Sequence, residues 1–176
     1  MAVAVDIRPA TVEQADIISL LGRMTFSETF GYLFANHPGE LGSYLEETFG
    51  VAKIRRSIGL SRNHYWLAYV DELPVGYAKL KYPSDTDLLV GPDVAQLQKI
   101  YIVRDHLAMG IGGPLLQAVR ERAIARGARV MWLAVLSENA RAIGFYRRHG
   151  FNGLGKDRFT IGSQTFQFDL LSSMLV

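Results

Sequence analysis

The chain contains 176 residues, of which 49% are hydrophobic and 20% are charged, and its formal net charge is +2. This length suits a single domain with a substantial core, and the composition is that of an ordinary globular protein. The absence of cysteine excludes disulfides, thiolate zinc sites and a cysteine nucleophile, and it suits a reducing cytoplasm. We therefore expect one domain over residues 1–176, located in the cytoplasm.

The N-terminus and the distribution of charge argue against several other classes of protein. The N-terminus has no basic segment and Asp6 interrupts its apolar run, so we expect no signal peptide. No apolar run approaches the ~20 residues that span a bilayer. Six arginines surround one apolar segment: Arg120, Arg122, Arg126, Arg129, Arg147 and Arg148. Arginines on solvated helix faces are common, and an anionic cofactor also attracts them, so we expect no nucleic-acid or membrane partner.

In the first half of the chain, the apolar pattern predicts strands and helices in alternation. In chain order these are a strand over residues 3–8, a helix opened by the capping box Thr11 to Gln14, a helical region from Pro38 through Ile58, and a hairpin of strands 64–70 and 75–82. A loop rich in Pro and Asp follows over residues 84–93.

The second half of the chain adds two strand–helix pairs and two late strands. The order is strand 95–103, helix 112–126, strand 130–135, helix 139–148, and strands around Phe159 and over residues 166–171. Antiparallel strands followed by a βαβα unit predict an α/β fold, a mixed and mostly antiparallel sheet with helices on both faces. We expect the apolar late strand at residues 166–168 to lie at an edge and to mediate a homodimer.

A glycine-rich turn, Met109-Gly110-Ile111-Gly112-Gly113, lies where a predicted strand passes into a helix. Glycines let the backbone turn sharply and approach a ligand, and the first N–H groups of a helix carry the positive end of its dipole. These features suit a pyrophosphate. The alternative is a tight turn without a ligand. A dinucleotide fold is disfavoured, because that fingerprint follows the first strand and precedes an acidic residue by ~20 positions.

The last predicted helix carries two polar residues, Asn139 and Tyr146, which are two turns apart and share one face. Ala142 lies between them and leaves a shallow groove in which an extended ligand fits. Alternatively, Tyr146 is a core aromatic beside Phe145. Adjacent residues face about 100° apart, so one of these two rings is expected to point elsewhere. Gly150 is expected to end the helix in the left-handed conformation.

Together, Gly110-Ile111-Gly112 after one strand and Asn139-x-x-Ala142-x-x-Phe145-Tyr146-x-x-x-Gly150-Phe151 after the next resemble the GNAT-type acyl-CoA N-acyltransferase superfamily. The resemblance is strongest over residues 95–151. It implies acetyl-CoA bound, without a metal, along the splayed edges of the two strands in the central βαβα cofactor-binding unit. The cofactor residues that it implies are Ile102, Val103 and Asn139 for the pantetheine, Ala108, Met109, Gly110, Ile111, Gly112 and Gly113 for the pyrophosphate, and Tyr146 beside the thioester sulfur.

Four further segments, residues 25–30, 44–46, 98–102 and 132–135, resemble the bacterial polyamine (spermidine/spermine) N-acetyltransferase branch. A polyamine acceptor requires an acidic groove. The candidate carboxylates are Glu28, Glu46, Glu47, Asp85, Asp87 and Asp93, each of which also suits a solvated surface. Other small amines, antibiotics, amino acids and protein N-termini stay open as acceptors.

The resemblance implies direct attack of a primary amine on the acetyl thioester. Tyr146 suits protonation of the leaving thiolate, because the pKa of a phenol exceeds that of a thiol, and a backbone N–H near Val103 suits the oxyanion. The base is open, since Gln96 and Gln98 stand where many family members carry a glutamate. The alternatives are a water chain to Glu28 or another carboxylate, His37, His64, or an amine that arrives neutral.

Three hypotheses follow from these observations. Tyr146 at the thioester favours an acetyltransferase acting on a small amine or on a protein or peptide amine. The missing strand glutamate favours a non-catalytic acyl-CoA sensor. A nucleotide- or nucleic-acid-binding regulator rests only on the arginines and the glycine loop. We adopt the first.

Overall fold

The computed structural model describes residues 4–175. The start of the first predicted strand and the first residues of the segment considered for a signal peptide, at residues 1–3, lie outside this range. The helices and strands, in chain order, are β1 (Val5–Pro9), α1 (Ala15–Phe30), α2 (Pro38–Phe49), α3 (Val51–Ile58), β2 (Asn63–Val70), β3 (Leu73–Lys81), β4 (Val94–Ile102), α4 (Gly112–Ala125), β5 (Val130–Leu136), α5 (Ala140–Arg148), β6 (Asn152–Ile161) and β7 (Gln164–Met174).

The strands form one seven-stranded sheet in the order β1-β2-β3-β4-β5-β7-β6. Within residues 4–175, β4 and β5 are the one parallel pair, and the other neighbouring strands are antiparallel. The α/β fold with a mixed, mostly antiparallel sheet is therefore confirmed.

Adjacent residues of β2 show that helices cover both faces of the sheet. Leu67 belongs to a core that includes Ile18 of α1. Its neighbour Ala68 points to the opposite face, into a core that includes Leu115 of α4 and Ile143 of α5. This alternation is what a strand buried on both faces requires, and it confirms the predicted helices on both faces.

The helical parts of the chain agree with the prediction except at Gly50. There the backbone takes φ −57° and ψ 137°, which ends α2 and separates it from α3, so the region after Pro38 is two helices. The predicted capping box is present, with the Thr11 N–H donating to Gln14 Oε1 at 2.9 Å, and it opens a short 3₁₀ turn before α1. None of the helices within residues 4–175 is long and apolar enough to cross a membrane.

The apolar late strand, β7, is an interior strand between β5 and β6. The expectation that this strand lies at an edge is therefore wrong. The edge position was the reason for expecting a homodimer, so that reason is lost. Its apolar side chains are covered from within the same chain. The ring of Phe166 is 5.8 Å from Phe34, and the ring of Phe168 is 4.9 Å from Phe159.

The two parallel strands pair only over residues 94–96 of β4 and residues 130–132 of β5, and then they diverge. A bulge in β4 accompanies this splay. Lys79 of β3 lies opposite Lys99, whereas the next residue, Leu80, lies opposite Leu97, so Gln98 is the extra residue. A bulge of this kind bends a strand and increases its twist. The diverging strands leave open backbone edges where the resemblance implies the cofactor.

Candidate active site

A cleft of about 890 Å³ opens between the diverging ends of β4 and β5, a size typical of ligand sites. Its walls come from α1, α2, β4, the loop before α4, the end of β5, α5, and the β6–β7 hairpin. The predicted cofactor residues that line it are Ile102, Ala108, Gly110, Ile111, Gly112, Gly113, Asn139, Ala142 and Tyr146. Val103 and Met109 are not among the lining residues. The roles of all these residues stay predictions.

The glycine loop reaches α4 through two residues in the left-handed region, Ala108 with φ 68° and Gly110 with φ 77°. Gly112, the first residue of α4, lies against Phe145 of α5, and a Cβ there would be 3.0 Å from that ring. Within residues 4–175 no side chain caps the first turn of α4. Its N–H groups are therefore available to an anion at this end of the cleft.

Helix α5 brings Asn139, Ala142 and Tyr146 to the cleft, as their spacing predicts. Asn139 is also the N-cap of this helix, since its Oδ1 accepts a hydrogen bond from the Ala142 N–H at 3.2 Å. Gly150, with φ 84°, follows the helix in the left-handed conformation, as expected. The local pattern alone thus predicts the geometry of this helix.

Tyr146 is 8% exposed, and its ring is 5.7 Å from the ring of Phe151. The expectation that either Phe145 or Tyr146 points elsewhere is wrong, because both join the same core. Phe145 reaches it at the start of α4, where it contacts Gly112, and Tyr146 reaches it at Phe151. Burial raises the pKa of Tyr146. The phenol is therefore protonated at neutral pH and able to donate.

The backbone N–H of Val103 itself is already occupied, so the donor expected near this residue must be a neighbour. The Val103 N–H donates to Val75 O at 2.9 Å, so it faces β3. Successive residues of an antiparallel ladder direct their N–H groups to opposite sides. The N–H of Ile102 therefore faces β5 and the cleft, so it is the backbone N–H near Val103 that suits the oxyanion, and this role stays a prediction.

None of the candidate bases or candidate acidic residues is among the lining residues of the cleft in the described chain. Glu28 instead accepts a hydrogen bond from the Arg104 N–H at 2.9 Å. His37 and His64 both lie outside the cleft, and Gln98 lines it. A carboxylate that could take a proton directly from an acceptor amine is thus absent from these walls.

The ionisable side chains that line the cleft, apart from its tyrosines, are Lys99, Arg141, Arg148 and His149. Arg148 was singled out from the sequence, whereas the other three were missed. The Lys99 Nζ lies 5.0 Å from the centre of the Phe49 ring and 5.5 Å from that of Tyr101. Burial lowers the pKa of Lys99. The one sequence signal for this residue is a lysine that directly precedes the apolar end of β4, Ile100-Tyr101-Ile102.

A family model described as the acetyltransferase (GNAT) family matches residues 28–151 of the chain. The protein belongs to this family, and it is an acetyl-CoA-dependent N-acetyltransferase.

Relatives and solved structures agree with this membership. An uncharacterized N-acetyltransferase of Lactobacillus delbrueckii subsp. lactis is 27% identical over 156 residues, which cover 89% of each chain. The L-methionine sulfoximine/L-methionine sulfone acetyltransferase of Pseudomonas aeruginosa is 46% identical over 57 residues, 32% of this chain and 33% of that one. The PaiA N-acetyltransferase of Thermoplasma acidophilum, solved with coenzyme A, has the same fold, with a TM-score of 0.74, 18% identity, and coverage of 97% of this chain and 99% of that one.

Proposed function

We propose that the protein acetylates the primary amine of a small molecule by direct attack on acetyl-CoA, inside the cleft between β4 and β5. The observation that carries this proposal is the buried, protonated Tyr146 in a cleft that also contains the free N-terminus of α4. The cofactor pyrophosphate would bind at Ala108 and residues 110–113. Arg141 and Arg148 would add positive charge there, and the pantetheine would run along the open edge of β4.

In this arrangement the amine nitrogen forms a bond to the thioester carbonyl carbon while the oxyanion accepts a hydrogen bond from the Ile102 N–H. The C–S bond then breaks, and the Tyr146 hydroxyl donates its proton to the leaving thiolate. An ammonium acceptor first loses one proton to water, or the amine enters as the free base, because the lining residues include no carboxylate. After the attack the nitrogen loses a further proton, which returns through water to the Tyr146 phenolate.

Acetylation of a polyamine is the narrower proposal that the sequence motivated, and the charges of the cleft argue against it. A polyamine carries several cations and requires carboxylates nearby. The six candidate carboxylates are not among the lining residues, and the charged groups that do line the cleft are basic. Among the relatives, the P. aeruginosa enzyme is named for amino-acid derivatives and a Streptomyces lavendulae relative for streptothricin. A small amine other than a polyamine is the better-supported acceptor.

The test is thiol release from acetyl-CoA by the purified protein with polyamines, amino acids, streptothricin and peptides, with acetylated products identified by mass spectrometry. We expect turnover with at least one small amine. Binding of acetyl-CoA without turnover of any amine would replace this proposal with the sensor hypothesis. Turnover of peptides alone would favour a protein or peptide acceptor.

A further inference from the structure

We propose that Lys99 forms an anion-binding subsite at the acceptor end of the cleft, and that the acceptor is an α-amino acid with an apolar side chain. This inference rests on the proposed function, because it names the acceptor class of the same site.

The bulge at Gln98 directs Lys99 to the same face of the sheet as Tyr101, the face covered by α1 and α2. Its Nζ lies over the Phe49 and Tyr101 rings, and Lys99 is one of the residues that line the cleft. Tyr101 is close enough to Tyr146 to contribute to the pKa of that residue. Lys99, Tyr101 and Tyr146 all line the same cleft.

Lys99 has no anionic partner within residues 4–175, since it takes part in no ion pair there. Its cross-strand neighbour on β3 is another lysine, Lys79, which likewise forms none. Burial lowers the pKa of both lysines, because an ammonium group withdrawn from water without a counter-ion is costly to hold. A ligand carboxylate would act as the missing counter-ion and stabilise the ammonium form of Lys99. The site is therefore expected to favour an acceptor that carries an anionic group.

The other basic groups of the cleft lie on or next to α5, whereas Lys99 lies against Phe49 of α2. Arg141 and Arg148 belong to α5, and His149 follows that helix. The His149 Nε2 lies 3.8 Å from the position that a Cβ of Gly113 would take, so it adjoins the start of α4. These groups suit the cofactor phosphates, and Lys99 remains for the acceptor.

Aromatic rings surround the acceptor end of the cleft and define the side chain that fits beside the anion. The rings are those of Phe26, Phe30, Phe34, Tyr44, Tyr101 and Phe166. Phe26 and Tyr44 have ring centres 4.7 Å apart. Walls of this kind favour an apolar or aromatic side chain and disfavour a second charge. An α-amino acid with an apolar side chain provides an amine for acetylation, a carboxylate for Lys99 and an apolar group for the aromatic walls.

The experiment compares L-phenylalanine with its amide and with phenethylamine, which keep the ring and the amine but lose the carboxylate. For the wild-type protein we expect kcat/KM for phenylalanine to exceed that for both analogues by about 10- to 100-fold, since a hydrogen bond to a charged group is worth ~1.5–3 kcal/mol. In Lys99→Met this preference should disappear through a higher KM for phenylalanine alone, and Lys99→Arg should restore part of it.

Lys81→Met is the matched control, because Lys81 lies on β3 outside the lining of the cleft, and it should keep the preference. Equal or better use of the two analogues without a carboxylate by the wild type would overturn the inference, as would an equal loss of kcat for all three acceptors in Lys99→Met. If no amine turns over, calorimetric binding of phenylalanine to the CoA-saturated protein separates the cases. Binding that requires Lys99 would uphold the subsite while the proposed function fails, and absence of binding would overturn both.

Discussion

At the scale of single residues, Ala108 holds a conformation that ordinarily favours glycine, with φ 68° at the turn into the predicted phosphate site. An L-residue in this region costs ~1–2 kcal/mol. A glycine would remove that cost. Its greater conformational freedom in the unfolded chain would, in turn, lower the free energy of unfolding by ~0.4–1 kcal/mol. We expect Ala108→Gly to raise the free energy of unfolding by about 0.5–1 kcal/mol in urea denaturation.

Ala52 on α3 provides the control for this substitution, because it is exposed and helical. Ala52→Gly should lower the free energy of unfolding by about 0.5–1 kcal/mol. A similar loss of stability for both variants would show that Ala108 is not strained.

The sequence predicted the residues of the site that belong to short local patterns. The sequence alone was enough to recognise the glycines at 110 and 112 and the spacing of Asn139 and Tyr146, because turns and helix faces depend on near neighbours. Lys99 was missed because its surroundings arise from a bulge and from Phe49, which is 50 residues away along the chain. The occupied N–H of Val103 was missed for the same reason, since its acceptor belongs to another strand.

At the scale of elements, the tip of the β6–β7 hairpin is attached to α2 across the acceptor end of the cleft. The Ser163 N–H donates to Glu40 Oε1 at 3.0 Å. The pKa of Glu40 is lowered, first by a hydrogen bond with the Ser163 side chain and to a smaller extent by this backbone bond. Gly162, with φ 60°, approaches so closely that a Cβ there would lie 2.5 Å from Glu40 Cδ. Phe159 and Ile161 of the same hairpin line the cleft, so this contact holds one wall in place.

Loss of that contact should weaken acceptor binding and leave the cofactor site intact. We expect Glu40→Ala to raise the KM for the acceptor by about three- to tenfold, because one hydrogen bond to a charged group is lost. The affinity for acetyl-CoA, measured by calorimetry, should not change. Glu47→Ala, on the exposed side of the same helix, is the control. Unchanged acceptor kinetics in both variants would show that the contact between Glu40 and the hairpin does not affect acceptor binding.

The order and type of the elements were largely predictable, whereas their junctions were less so. Capping residues, apolar periodicity and a left-handed glycine mark helices and strands locally. The break at Gly50 was missed because the apolar pattern continues on both sides of it. The interior position of β7 was missed because strand order depends on which distant segments pair. The last strand, β7, inserts between β5 and β6, and β6 forms the edge of the sheet.

At the scale of the whole molecule, buried ionisable groups make the stability of the fold depend on pH. Burial, with a smaller contribution from the charge of Lys99, lowers the pKa of Lys79 from 10.5 to about 7. Between these two values the unfolded chain holds a proton that the folded chain has released, so stability rises with pH. Burial raises the pKa of Tyr65 and of Tyr101 from 10.0 to about 12, so above pH 10.0 stability falls.

We therefore expect the free energy of unfolding, measured in urea at constant salt, to rise from neutral pH to about pH 10 and to decline beyond it. Lys79→Met should flatten the rising part, because it removes the proton that the unfolded chain takes up. A rise of undiminished slope in that variant would show that other groups are responsible.

The central claim is that Tyr146 donates a proton to the leaving thiolate, and one comparison tests it most directly. We would measure kcat for acetyl transfer in Tyr146→Phe beside Tyr77→Phe, a matched change at a fully buried tyrosine that does not line the cleft. The account expects kcat to fall by about 10²- to 10⁴-fold in Tyr146→Phe, with acetyl-CoA affinity kept, and to stay near wild type in Tyr77→Phe. A Tyr146→Phe protein that binds acetyl-CoA and turns over at the wild-type rate would contradict it.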